Sequence, residues 1–539
     1  MTYPDVFDPL PYDLRSQRGS RAVTLLFVAF FAVILVRTAW VADGAFIDLR
    51  TVANFVAGYG LRWNVDERVQ VFTSPLWVLL TALVDMAVRQ PYLSVLLLSG
   101  VLSIAAVALL ASLAVDATAA IVAIALLTFS KAFVEYSTSG FATPLASLLI
   151  AAFWYVHWKI DASRSRVWAL STIVGLTVLT DWMATLLLIP SLARTIRTAG
   201  RDDRPFAAAG LIPVLVWMLF AFIYYGSVLP NPLIASWHSG WTLRTTVGQG
   251  AAYLLDALDN DPLTVAAVLV AAALMRARTD LQPLAVGVGS YLIAMTVTGG
   301  DALSGRALAT PLLIAAIIVS RYPWSRLREL AIVPVGVIAG LGFIAPRPAV
   351  TSDGAYGTDA TAALARPWPG AESIVDPARA AIRDERWHVF PRMGLLTAGR
   401  NVPIPNTLQI ELEVEHLLAA HRRVIADDRA GLFAYVVGPR LHLVESSGRT
   451  DALLARLHPS EKWQPGGVRR AIPDGYVESL ESGLPATSDP GLNACVGKLS
   501  LLTRGALLDR ERLAALASWK LGCDPAAPPL TARATRARY

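Results

Sequence analysis

Asp43 stands where a long apolar run, Ala22 to Val41, gives way to a charged and aromatic stretch that ends at Trp77. A carboxylate at the mouth of a membrane helix is costly unless it meets water or a partner, which makes it a functional candidate. Such a group can take a proton from a hydroxyl, provided that it reaches the hydroxyl in the first place. A helix cap is the plain alternative. Asp48 sits one helical turn beyond Gly44 and could reach the same space. Arg306, Arg50 and Arg37 could each hold a phosphate through paired N–H groups. Against that, Arg37 could simply snorkel to the interface, and Arg50 could pair with Asp48. Asp301 could orient a hydroxyl, bind a divalent cation or cap a helix. Glu67 and Asn231 are candidate contacts to a hydroxyl-rich ligand or turn formers, and Asn54 belongs to the same polar surface as Asp48 and Arg50. Trp63, Trp77, Trp237 and Trp241 could stack on a ring or serve as membrane anchors.

The elements that must position these residues are membrane helices. The chain is 55% hydrophobic and 16% charged, with a mean hydropathy of +0.50. A soluble chain of this length carries more charge. Arg15, Arg18 and Arg21 precede the first apolar run and place residues 1–21 in the cytoplasm. That run stays as a helix, because no small-residue cleavage site follows it. The net charge of +6 therefore reads as topology signals in loops, not as a nucleic-acid surface. Gly44 to Ala57 reads as an amphipathic helix along the interface, with Phe46, Leu49, Val52, Ala53 and Val56 on one face and Gly58 and Gly60 ending it. It belongs to an external loop, 43–70, of a membrane domain over 22–345.

Apolar spans follow at 71–88, 92–114, 116–132, 142–159, 168–190, 208–226, 263–276, 282–298, 307–321 and 329–345. With the first run they make about eleven crossings of a ~30 Å hydrocarbon core, which leaves the C-terminus outside. Arginines at 194–204, 276–278 and 321–328 fall inside on this count, whereas Lys159, Arg164 and Arg166 do not. Either a misdrawn span between Arg89 and Arg194 or a helix broken near Ser139-Gly140 would account for them. The loops at 224–232 and 299–306 then share the outer face with Asp43.

Beyond Pro346 no run could span a membrane, and residues 346–525 read as an external α/β domain with a flexible tail at 526–539. Roughly 190 residues suffice for a core of its own. Glu411–Ala426 reads as a helix, Gly431–Gly438 and Leu441–Ser446 as strands joined by Gly-Pro-Arg, and Asp451–Leu457 as the start of a helix. The only two cysteines, Cys495 and Cys523, lie here, as a disulfide in an oxidising compartment or as free thiols.

Phosphate-binding loops of the Walker and dinucleotide types, H-E-x-x-H and G-x-S-x-G are absent. Seven scattered histidines make no metal pattern, and internal pseudo-symmetry of the transporter kind is lacking. Polar residues collect at one membrane face, beside the external domain, which suits an enzyme acting on a lipid-borne substrate.

The stretch Val41 to Trp77 resembles the first external loop of GT-C glycosyltransferases that use polyprenyl-phosphate sugars. Within that superfamily it is most similar to the mycobacterial terminal β-(1→2) arabinofuranosyltransferases. The resemblance rests on Asp43-Gly44, Leu49-Arg50-Thr51-Val52-Ala53-Asn54, Gly58-Tyr59-Gly60, Trp63-Asn64-Val65-Asp66-Glu67-Arg68-Val69 and Thr73-Ser74-Pro75-Leu76-Trp77. Tyr225-Gly226 with Leu229-Pro230-Asn231, Gly299-Gly300-Asp301 with Gly305-Arg306, and Gly431 to Arg456 continue it in order. The chain departs from the group at Gly44, where a second acid is usual, at Ala142 in place of a glutamate, and near Ser236 in place of a lysine.

The resemblance implies a plasma-membrane enzyme that transfers a sugar, arabinofuranose first among candidates, from a polyprenyl-phosphate donor to an external cell-wall polysaccharide. Asp43 would be the general base, in a single displacement that inverts the sugar carbon. The alternatives are a mannosyl or other sugar transferase of the same fold, and a homologue that has lost catalysis and binds glycan.

Overall fold

The structure is a computed structural model and describes residues 14–276, 281–322, 324, 332–345, 350, 386–388, 407–461 and 468–518. The chain is mostly helical, and the strands among the described residues form two short pairs. Leu14–Arg37 opens the bundle, and Trp40–Ala42 follows as a strand that pairs antiparallel with Arg386–His388. The helix expected over Gly44–Ala57 is Ala45–Val56, within a residue of its expected ends. Gly58 and Gly60 leave it with φ of +88° and +85°, a region that L side chains rarely adopt.

Pro91–Leu113 and Pro205–Tyr225 are long and apolar enough to cross a membrane. A third span results if Leu243–Asn260 and the helix after it count as one, although they meet at a 110° bend. Other apolar helices have 10–17 residues, among them Pro75–Val88, Ala117–Phe129 and Gln282–Thr298.

Two expected spans are interrupted. The 116–132 span ends at Phe129, and a second helix, Lys131–Tyr136, leads into the Ser137–Ala142 turn. Gly140 takes φ +85° in that turn, and a Cβ there would sit 2.7 Å from that of Ala45, so the break lets the two segments touch. The 168–190 span stops at Val178 and resumes as a short 3₁₀ turn, Ala184–Leu187, because Asp181 turns its side chain onto the amides of Met183 and Ala184, at 3.0 and 3.2 Å.

The C-terminal region differs from expectation at three places. The helix expected over Glu411–Ala426 is Thr407–Ala419, which ends seven residues early, with His421 at φ +54°. Val424–Ala426 is instead a strand, parallel to His442–Val444. Leu432–Val437 is a helix where the β-branched and aromatic run had suggested a strand. Packing decides it, since Leu432, Phe433, Ala434 and Val437 are all buried. Third, Leu454–Arg456 is a single 3₁₀ turn.

Nor does this region keep a core to itself. Phe433, Val437, Leu443 and Leu499 belong to one apolar cluster with Val52, Trp63, Val69 and Phe72 of the 43–78 segment. Burial of a side chain such as Phe433 or Leu443 contributes about 1.5–3 kcal/mol, so the two segments hold each other down. Cys495 is disulfide-bonded, and Cys523, the only other cysteine, lies outside the described residues.

Candidate functional site

The Ala45–Val56 helix carries the candidate residues on opposite faces. Asp48 faces the loop at 301–306. Among the described residues it makes no hydrogen bond or ion pair, and it is half-buried by accessible surface although protein crowds it from all sides. Burial pushes its carboxyl up to about 7, and the charge of Arg306 pulls in the opposite direction.

Arg306 is held from two sides. Its Nε and Nη2 each lie 2.7 Å from Oδ2 of Asp301, and its guanidinium stacks 4.4 Å over the centre of the Phe141 ring. About a third of the side chain (31%) remains exposed. Asp301 also accepts the amide of Leu303 at 3.0 Å, so it caps its turn and fixes the arginine together. The charges of Arg306 and Asp301 both act on Asp181, at the broken span.

The loop around Arg306 is set from below. Tyr136 Oη donates to Ser304 O at 2.6 Å, and Tyr253 Oη donates to Leu303 O at 3.1 Å and accepts from Ala307 N at 3.0 Å. Tyr291 Oη donates to Ala307 O at 2.7 Å, and Ser304 donates to Asp256. Gly300 has φ +76° and lies against Tyr253, where a Cβ would come within 2.6 Å of the ring.

Asp43 is placed otherwise. Its Oδ1 accepts the amide of Leu432 at 2.9 Å, at the start of the Leu432–Val437 helix. A Cβ on Gly431 would fall 2.0 Å from its Oδ2, so the fit requires glycine. Gly44 faces Phe141, with 3.4 Å between its would-be Cβ and the ring.

The other face of the helix is closed by the C-terminal region. Arg50, 1% exposed, donates from Nη2 to Leu441 O at 3.0 Å and to Asn64 Oδ1 at 3.3 Å, and lies 4.3 Å over the Trp63 ring. It therefore turns away from Asp48. Asn64 pairs with both backbone groups of Leu443, at 3.1 and 3.0 Å, and donates to Glu67 Oε1 at 3.3 Å. His442 Nδ1 meets Asp66 Oδ1 at 2.8 Å, and Arg504 Nη2 lies 2.8 Å from Asp66 Oδ2.

Burial works against the charge of Asp66, but His442 and Arg504 hold it below the ordinary carboxylate range. Burial pushes Glu67 up against the pull of His442. Burial opposes the charge of His442, while Glu67 and Asp66 raise its pKa overall.

Asn54 Nδ2 donates to Arg62 O and Trp63 O at 3.0 Å each, which closes the turn after the helix. Asn231 Nδ2 lies 2.8, 3.1 and 2.9 Å from the carbonyls of Gly448, Arg449 and Asp451 and ties the 224–232 loop to the C-terminal region. Of the expected site residues, Asp48, Asp301 and Arg306 thus gather at one place. Arg50, Glu67 and Asn231 belong to the joint with the C-terminal region, and Asn54 holds the turn that leads into it. Asp181 joins the first group and was not anticipated, although an acid inside the 168–190 apolar run was a signal in plain view. No group of three or more His, Cys, Asp and Glu side chains among the described residues could hold a metal.

No family model matches the chain, and no curated protein matches it either.

Proposed function

We propose that the chain is an integral-membrane glycosyltransferase of the GT-C kind. It moves a sugar from a polyprenyl phosphate to an acceptor glycan outside the cytoplasm, with Asp48 as the general base. The observation that carries this reading is a carboxyl without a partner among the described residues, poised near neutrality beside a clamped but accessible arginine. Asp48 takes the proton of the acceptor hydroxyl. The hydroxyl oxygen attacks the anomeric carbon, the bond from that carbon to the phosphate oxygen breaks, and the polyprenyl phosphate departs with the electron pair. Arg306 meets the negative charge of the departing phosphate. One displacement with one base inverts the sugar carbon.

The order of motifs from Asp43 to Arg456 supports arabinofuranose as the sugar and a cell-wall polysaccharide as the acceptor. In this reading the chain lies in the plasma membrane and crosses it about eleven times, the shorter apolar helices spanning ~30 Å jointly with the segments next to them. The N-terminus is cytoplasmic and the C-terminal region external. Ala117–Phe129 with Lys131–Tyr136 is one such composite.

A second reading has one observation behind it. The acid matching the family's first position, Asp43, binds the Leu432–Val437 helix, as a scaffold residue would. A homologue without catalysis, binding glycan through its C-terminal region, fits that placement.

Membranes carrying the protein, given radiolabelled polyprenyl-phosphate arabinose and an arabinan acceptor, separate the two. Transfer that is lost in Asp48→Asn is expected. Transfer that survives Asp48→Asn but not Asp43→Asn would return the base to Asp43. Absence of turnover with every pentose and hexose donor, beside tight glycan binding, would favour the second reading.

A further inference from the structure

The Leu243–Asn260 helix is built inside out. Thr246, Gln249 and Asp256 are buried, and the stripe left open is apolar: Leu243, Val247, Leu255 and Leu258 are 59%, 37%, 48% and 45% exposed. Half-buried Ala251 and Leu254 fill the stripe between them, so all six share one face. Arg244 and Asp259 are exposed too, but they stand at the two ends. Water selects the opposite arrangement, with polar side chains outward and apolar ones within.

The helices beside Leu243–Asn260 also carry exposed apolar side chains. The helix packs on Pro262–Arg276 and Gln282–Thr298, which expose Leu269, Val270, Val286 and Ile293. It meets Pro262–Arg276 at a 110° bend, so when that helix crosses a bilayer, Leu243–Asn260 runs close to the membrane plane. Trp237 and Trp241, 76% and 49% exposed, precede it, and tryptophan is enriched where hydrocarbon meets headgroups.

We infer that Leu243–Asn260 lies in the membrane interface with this stripe sunk among the acyl chains of the bilayer. Its inner face holds the loop that carries Asp301 and Arg306, through Tyr253 on Leu303 and Ala307 and through Asp256 on Ser304. The depth of the helix in lipid therefore sets the depth of the arginine. The inference rests on the membrane assignment proposed above and not on catalysis, so loss of one leaves the other standing.

The test uses the full chain in lipid nanodiscs, with a nitroxide at Val247→Cys, Leu255→Cys or Leu258→Cys. Collision with oxygen, which concentrates in hydrocarbon, is compared with collision with a water-soluble nickel chelate. The oxygen-to-nickel ratio is expected to be several-fold higher at these three positions than at Leu484→Cys, an apolar residue 70% exposed on the C-terminal region. Equal ratios would overturn the inference. Exclusion of both reagents, as a second copy seated on the stripe would produce, overturns it as well. Three independent positions on an exposed face keep the reading available if one variant fails to fold.

Discussion

The two faces of the Ala45–Val56 helix hold similar residues to opposite ends. On the side of Arg50 the charged and amide groups are drawn into a joint: Asn64 satisfies both backbone groups of Leu443, and Asp66 is shared by His442 and Arg504. On the side of Asp48 the arginine is held by Asp301 and Phe141, and the carboxyl has no hydrogen-bond or ion-pair partner among the described residues. A buried carboxyl without a partner costs stability and is retained where something other than the protein is meant to meet it. Stored partners mark the first face as scaffold, and the unmet acid marks the second as a place for a ligand.

The contrast is sharpest in substitutions that keep shape. Asp48→Asn is expected to lower transfer by about 10²–10⁴-fold, the usual worth of a general base, while the thermal midpoint holds or rises. Labelled-sugar transfer beside a melting curve checks this, and equal loss of activity and stability would put Asp48 among the scaffold residues. On the closed face, Asn64→Ala should cost about 1–3 kcal/mol for each buried group of Leu443 left without a partner. Arg50→Met should cost less, about 1 kcal/mol or below, because Nε and Nη1 of Arg50 are already buried without hydrogen-bond partners among the described residues. Urea midpoints of the two variants decide the order, and a more damaging Arg50→Met would mean that the stacked guanidinium on Trp63 matters more than the amide.

Much of the open face could be read from the chain alone, for local reasons. The amphipathic spacing from Phe46 to Val56 needs only a helical period, and the glycines at 58 and 60 need only their φ values. Asp301 and Arg306 lie five residues apart, and one tight turn brings them together. What stayed hidden depends on contacts between distant segments. Nothing near Asp43 tells that Leu432 will bring an amide to it from the far end of the chain, and the strand-like run at 432–437 becomes helical through burial on that same face. Leu243–Asn260 escaped notice because its stripe is interrupted by Thr, Gln and Asp, which looks polar until the structure turns those residues inward.

Gly44→Asp probes the open face by adding to it. Gly44 has φ −60°, its Cβ would make ordinary contact with Phe141, and position 44 lies one turn from Asp48. A second carboxylate there disfavours ionisation of the first. With Asp48 at about 7, activity rises with pH as the base form accumulates, and the midpoint of that rise should move upward in Gly44→Asp. A pH–rate profile on membranes is the measurement, and an unmoved midpoint would separate position 44 from the base.

The smallest effect belongs to the closed face and to its histidine. His442 has its pKa raised in the folded chain, so the stability it contributes is complete below the ordinary histidine value of about 6.5 and is lost as pH rises through the folded value. Asp66 is depressed, so its contribution is present above the ordinary carboxylate value of about 3.9 and is lost as pH falls through the folded one. Glu67 is raised and weakens the joint in the same alkaline direction as His442. The joint should therefore be firmest on the mildly acidic side of neutrality and loosen above it. Melting curves from about pH 5 to 9 should show the midpoint falling by a few degrees on the alkaline side in the natural chain. His442→Gln should flatten that fall while leaving the Asp48 pH–rate profile where it was, since the joint that holds His442 lies on the side of the Ala45–Val56 helix opposite Asp48. If removing the histidine moved the rate profile as well, the two faces would be one electrostatic unit and their separation into joint and site would fail.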